Sequence, residues 1–196
     1  MALNRLTTSE RDRIEAAMKS VGDRTSADFA LVIVPASDRY TLYPVLWAAI
    51  IALSATGIVA LLRPGYTILT DFLINGALFI ALALVLDWMP LRMRLVPSEV
   101  KCRHARELAH REFAVRIVAP GTHRDGVMFF VSIAERYVEI LADRDTHALA
   151  PAGTWNKIVD EFLATVKAGR VADGVLHAVE ACGAILEEHH PAASAS

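Results

Sequence analysis

Two stretches of the chain show no alternation of apolar and polar positions. Residues 44–62 (PVLWAAIIALSATGIVALL) carry no charge, and residues 67–89 (TILTDFLINGALFIALALVLDWM) carry only Asp71 and Asp87, one near each end. Each is long enough to cross a hydrocarbon layer of roughly 30 Å as a helix. Between them stand Arg63, Pro64, Gly65 and Tyr66, and a Pro-Gly pair suits a tight turn. The pattern predicts a transmembrane helical hairpin over 44–89, with helices at 44–62 and 68–88. The first run lacks the polar face of a helix that lies against a soluble core. The charged segment before it is unlike a secretory leader, so the hairpin is expected to stay in the mature protein.

Outside this segment the periodicities are those of an ordinary domain. Thr7 and Glu10 have capping-box spacing, and Ile14, Ala17, Met18 and Val21 form a helical stripe that Gly22 is expected to close. Phe29 to Val34 (FALVIV) is a continuous apolar run, the mark of a strand buried on both faces, and Pro35 ends it. Beyond the hairpin, Pro97-Ser98-Glu99 opens a basic helix running to about Arg116, and Pro120-Gly121 breaks it. Val127 to Ile133 and Arg136 to Leu141 read as two strands joined by a short turn at Ala134-Glu135, hence an antiparallel pair. Trp155, Ile158, Val159, Phe162 and Val166 form one late helical stripe; Val175, Val179, Cys182 and Leu186 form another. Residues 191–196 (PAASAS) are expected to be a disordered tail.

One helix and one strand cannot make a core. The strand at 29–34 must therefore join the two strands beyond the hairpin. Segments 1–43 and 91–190 then form one α/β domain: a small sheet of three or more strands flanked by helices, interrupted by the two-helix hairpin. A right-handed crossover makes the first strand parallel to the second. Asp28, Asp125, Asp143 and Asp145 are then expected at one edge of the sheet, and Asp38 and Glu135 at the opposite, membrane-side edge.

Composition changes this picture little. The chain has 196 residues, 54% hydrophobic against about 45–50% in an average soluble domain, and the hairpin accounts for much of the surplus. A net charge of −2 gives no general pull toward nucleic acid. The distribution of Lys and Arg says more. Arg92, Arg94, Lys101, Arg103, Arg106, Arg111 and Arg116 follow the second apolar run, Arg39 precedes the first, and the turn between them has only Arg63. The positive-inside rule places both termini in the cytoplasm, as a multi-pass protein. Cys102 and Cys182 have no metal-ligand spacing, and two unpaired thiols fit a reducing compartment.

The order helix, strand, helix, strand, strand, helix, helix resembles the TPM domain family, named for a thylakoid lumen phosphatase, a photosystem II repair protein and a worm receptor modulator. The matching residues are Arg124-Asp125-Gly126 with VMFFVSIAERYVEILADRD (127–145), PAGTW (151–155), AGRVADG (168–174) and ILEEHHP (185–191), together with the segment from Ser9 to Val34. The inserted apolar pair is similar to a bacterial, membrane-hairpin branch of that family, which implies the bacterial inner membrane. Family members are described as phosphatase-like, as cation-binding or as accessory factors of membrane complexes. The resemblance implies these roles and does not choose among them.

The sharpest candidate for chemistry is acidic. Asp143 and Asp145 follow the third strand at alternate positions and Asp125 precedes the second, so the hairpin brings them together. Several carboxylate oxygens suit Ca²⁺ or Mg²⁺, and a metal held there can serve phosphoryl chemistry. The plain alternative is that aspartates at strand ends bond local backbone and are neutralised by Arg124, Arg136 and Arg144. No P-loop, G-x-S-x-G, H-E-x-x-H or C-x-x-C occurs. His123 and His147 flank the acidic edge as candidate acid–base groups, His189 and His190 show no ligand partners in the sequence, Cys182 reads as a core thiol and Cys102 as a surface one. Asp71 and Asn75, one turn apart in the second apolar run, are candidates for helix pairing with another membrane protein, the plainer reading of Asp71 being a structural role near the interface, within reach of Arg63. The basic helix lacks the aromatic residues of an RNA-binding surface. The reading that results is an interaction or accessory module at the cytoplasmic face of the membrane, with the lipid bilayer and another membrane protein as partners. The alternative is a cation-dependent phosphatase-like activity at Asp125, Asp143 and Asp145.

Overall fold

In a computed structural model of the chain, the described residues are 7–62, 67–119 and 125–192. They divide into two compact units: one made of the chain up to Ser37 and from Cys102 onward, the other of Asp38–Lys101. The second unit is wider than the hairpin that the apolar pattern marks out.

The first unit begins with α1 (Thr8–Arg24), whose capping box is formed as its sequence predicts. The Thr7 backbone N–H and hydroxyl bond the Glu10 carboxylate and hold its pKa below the ordinary value. The helix does not close at Gly22. It runs on to Arg24, because one interior glycine costs only about 1 kcal/mol. Then follow β1 (Asp28–Val34), β2 (Gly126–Ser132) and β3 (Tyr137–Ala142), in sheet order β1-β2-β3. β1 is parallel to β2 in the register Asp28 opposite Gly126, and β3 is antiparallel to β2 with Val127 opposite Ala142. The strand from before the insertion thus pairs with the one beyond it, as the core argument requires.

β2 is buried along its whole length. Val127, Phe129 and Val131 face one core, shared with α1, α7 (Thr154–Lys167) and α8 (Val171–His189). Phe129 meets Phe162 edge to face, with ring centroids 5.2 Å apart. Met128 and Phe130 face the other core, with Val32, with Ala109 of α5 (Ser98–Phe113) and with Ile117. The basic helix ends three residues before Arg116, and Ala114–Val118 continue it as one π-helical turn. Gly126 is required there: a Cβ at this position would lie 2.5 Å from Ile117 Cγ2. A short helix, α6 (Arg144–Leu149), follows β3.

The two sheet ends are tied differently. At one, the Asp28 N–H donates to the Asp125 carbonyl at 3.0 Å. At the other, the Ser37 N–H donates to Glu135 Oε1 at 2.9 Å, and the Ser132 hydroxyl bonds the second oxygen of the same carboxylate. Asp28 therefore neighbours Asp125 and not Glu135, as expected. Pro191 and Ala192, the first two residues of the expected tail, are held against the end of α1 and the segment leading into β1. Thr25 bridges to Pro191, the Ala192 N–H donates to the Arg24 carbonyl at 3.0 Å, and the buried Thr25 hydroxyl donates to the His190 carbonyl at 2.6 Å. Residues 193–196 lie outside the described residues.

The second unit contains α2 (Leu42–Leu62), α3 (Ile68–Leu86) and the short α4 (Met89–Leu95). α2 and α3 pack on each other along their lengths. Ala48 and Ala52 are fully buried at the close approach, and Asn75 Nδ2 donates to Thr56 Oγ1 at 2.6 Å. Asn75 thus pairs the two helices within the chain. The predicted turn at 63–66 lies outside the described residues. Large apolar side chains point outward, among them Leu53, Ile68, Phe72 and Leu84. Both helices are long and apolar enough to cross a membrane. α4, too short for a periodicity to reveal, is held by Arg92, which pairs with Asp87 at 2.9 Å and bonds the Arg39 carbonyl at 2.6 Å.

A Cβ on Gly183 would lie 2.5 Å from Val21 Cγ2, and a β-branched neighbour cannot swing away. Gly183→Ala should destabilise the domain: the helix-propensity gain of about 1 kcal/mol is set against an overpacking cost of about 1–3 kcal/mol. Gly22→Ala, with open space around it, should stabilise by roughly 0.5–1 kcal/mol. Denaturant unfolding of the two variants should move in opposite directions. Burial pushes the Cys182 thiol up to about 12 from an ordinary 9.0, so the folded chain keeps it neutral. That contribution to stability is complete below pH 9 and is lost as pH rises from 9.0 toward 12. Alkylation near neutral pH should modify exposed Cys102 and leave Cys182 intact until the chain unfolds, which peptide mass mapping reads directly.

Candidate acidic metal centre

The register of the sheet builds the site. Asp125 sits immediately before β2. Asp143 follows β3, and its N–H donates to the Gly126 carbonyl at 3.0 Å, which extends the antiparallel ladder to the Asp125 end. Asp143 is the N-cap residue of α6 and Asp145 lies in its first turn. The helix turns the two aspartates toward the same space. One carboxylate oxygen from each of Asp125, Asp143 and Asp145 lies within 4.8 Å of the others. Calcium holds its oxygen ligands at about 2.3–2.6 Å, so two ligands on opposite sides of one ion are roughly 5 Å apart. The spacing fits a single hard cation.

Asp125 and Asp143 are half-buried and Asp145 is exposed. Asp143 Oδ2 is buried and has no hydrogen-bond partner among the described residues. Burying a carboxylate oxygen without a donor is costly, and a cation is one way to offset it. Two of the expected neutralising arginines, Arg136 and Arg144, do not supply the charge. Arg136 stands in the β2–β3 turn, at the far end of the hairpin, and Arg144 is exposed; among the described residues neither forms an ion pair with these carboxylates. Arg124 and His123 lie outside the described residues. His147 is exposed, and only its backbone N–H reaches the site region, donating to the Asp143 carbonyl at 2.8 Å.

Sequence reasoning missed His190. Its Nδ1 lies 3.5 Å from Asp125 Oδ2, and its Nε2 is buried and unpartnered among the described residues. No local spacing links positions 125 and 190. The contact arises because the end of α8 is tied to Thr25 and Ser26, just ahead of β1, and β1 is registered on Gly126. Thr146, fully buried with an unpartnered hydroxyl, is a further polar group of α6 that the sequence did not mark. Asp71 lies in the first turn of α3, in the other unit, and takes no part in the acidic site.

No curated protein matches the sequence. A solved structure, the NMR structure of the BA42 protein from the psychrophilic bacterium Bizionia argentinensis, is similar with a TM-score of 0.54 at 12% identity, over 97% of this chain and 87% of that one. At that identity the likeness concerns the fold alone. The model of the TPM domain matches residues 105–185, the stretch from α5 through the acidic site to α8.

Proposed function

We infer that the chain is a membrane-anchored TPM domain that acts as an accessory module for a membrane complex, at the cytoplasmic face of a bacterial inner membrane. The observation that carries this reading is the inverted apolar pattern of α2 and α3. Small and polar groups (Ala48, Ala52, Thr56, Asn75) lie between the helices, while Leu53, Ile68, Phe72 and Leu84 face outward. A soluble protein buries such side chains; in lipid, packing through small residues and one polar pair is the expected arrangement. The basic residues from Arg92 to Arg116 support the orientation. A chain attached to its anchor at two points, before residue 38 and after residue 101, suits docking more than free turnover of a soluble substrate.

Cys102 makes the test simple, because it is exposed. The full chain should remain with membranes through alkaline carbonate. A membrane-impermeant maleimide should label Cys102 in inverted vesicles and spare it in intact spheroplasts. Purification in mild detergent should bring a membrane complex with it in fixed ratio. Extraction by carbonate would remove the anchor, labelling in spheroplasts would reverse the orientation, and a chain that elutes alone would end the accessory role.

The convergence of Asp125, Asp143 and Asp145 supports a second reading, a divalent-cation site with phosphatase-like activity as its strongest form. Saturating Ca²⁺ or Mg²⁺, at about a hundred times the dissociation constant, should stabilise the chain by about 2.7 kcal/mol. That corresponds to a melting shift of about 5–10 °C for a chain of this size. Changing the three aspartates to asparagine should abolish the shift while the chain stays folded. Hydrolysis of a phosphomonoester that disappears in the same variant would establish an enzyme; cation binding without turnover would leave a regulatory or structural ion.

A further inference from the structure

The core between the sheet and the last two long helices does not close over at the β2–β3 turn. It opens there into a cleft of about 530 Å³, well inside the range of roughly 300–1,000 Å³ that small-molecule sites span. Phe162 and Val171 form its floor, and Val138, Leu163 and Val166 form its half-buried walls. Two cations, Arg136 and Lys167, stand at the rim, both exposed, and among the described residues neither forms an ion pair. Arg136 is held there by a left-handed backbone, φ 54, in the strand turn, and Lys167 is the last residue of α7. The only other polar side chain of the lining is Ser132, whose hydroxyl is already shared between Glu135 and Ser37. This end of the hairpin is opposite the acidic site.

The lining selects its occupant by chemistry. Apolar walls with no free side-chain donor or acceptor would leave the amide groups of a bound peptide unpaired, and buried amides without partners are costly. A hydrocarbon chain has no such groups and gains about 0.8 kcal/mol for each methylene removed from water. The two unpaired cations at the mouth complement one anionic head. We propose that the cleft binds the acyl chain of an anionic amphiphile, with Arg136 and Lys167 on its head group. A fatty-acid carboxylate and an anionic phospholipid share that chemistry.

Photo-crosslinking tests this on the full chain in phosphatidylcholine nanodiscs. One arm adds palmitate with a diazirine in its chain, a second uses its methyl ester, and a third incorporates a phosphatidylglycerol with the same diazirine chain. Adducts are mapped by peptide mass spectrometry. Labelling is expected within residues 131–138 and 162–171, from palmitate if the source is a free fatty acid and from phosphatidylglycerol if it is a bilayer lipid. The neutral ester should label the cleft about tenfold less, the loss expected when a charge-assisted contact is removed. A double variant, Arg136→Asn with Lys167→Glu, should show a similar loss; asparagine tolerates the left-handed backbone, so the turn is kept. Val166→Phe, which fills the cleft and leaves both cations in place, should also lose the adducts. Resistance of Cys182 to alkylation confirms that each variant is folded. Adducts confined to α2 and α3, equal labelling by acid and ester, undiminished labelling of the folded double variant, or no labelling by either anionic probe would each overturn the proposal.

Discussion

The first unit depends on the burial of β2 on both faces. A strand with no residue in water cannot stand at a sheet edge, because its N–H and C=O groups must be paired on both sides. β3 supplies one side through a four-residue turn. The other side is supplied by β1, which lies before the whole of α2, α3 and α4 in the chain. The two hydrophobic cores, the π-helical turn against Gly126 and the packing of α1 on α8 all follow from that one long-range pairing. The insertion of residues 38–101 is therefore an interruption of a single core and not a linker between two independent ones. On the membrane-anchored reading it also restricts the number of crossings to an even one, since the chain must come back to the side it left.

The same register places chemistry at the two ends of the sheet and separates it by type. At the Asp28–Gly126 end, three carboxylates converge with one buried oxygen unmatched. At the Ser132–Tyr137 end, the Glu135 carboxylate is used internally to hold Ser37 and Ser132, and two cations, Arg136 and Lys167, stand beside an apolar cleft. Neither arrangement depends on a reactive motif. Each arises because strand ends and turns bring distant residues together, and the side chains there are not needed for the core.

Most of the architecture was legible because it rests on long, strongly patterned segments. VMFFVS is buried throughout, as its pattern implies, whereas FALVIV forms a half-buried edge strand in which only Val32 is fully covered, and the uncharged run at 44–62 is a helix long and apolar enough to cross a membrane. What escaped was short or was decided elsewhere. α4 and α6 are a turn or two long, below the length at which a period can be seen, and Gly22 lies inside its helix because one interior glycine costs too little to end it. The acidic trio could be read from strand ends alone. His190 could not, since its place beside Asp125 follows from the pinning of the end of α8 by Thr25. The cleft was equally invisible: Arg136 looked like a counter-charge for the aspartates, and only the hairpin register moves it to the other end.

The pairing of β1 with β2 also fixes an order of events during synthesis. β1 leaves the ribosome roughly 100 residues ahead of the strand it must pair with, which at about 5–20 residues per second is a delay of some 5–20 s. Through that interval an apolar hexapeptide, Phe29 to Val34, has no sheet to join, while the two long apolar helices have already emerged. Their fate is decided first, and the domain closes around a segment whose destination is already set. A chain built this way is most exposed to aggregation before it is finished, and its yield in a cell depends on what shields those six residues in the meantime.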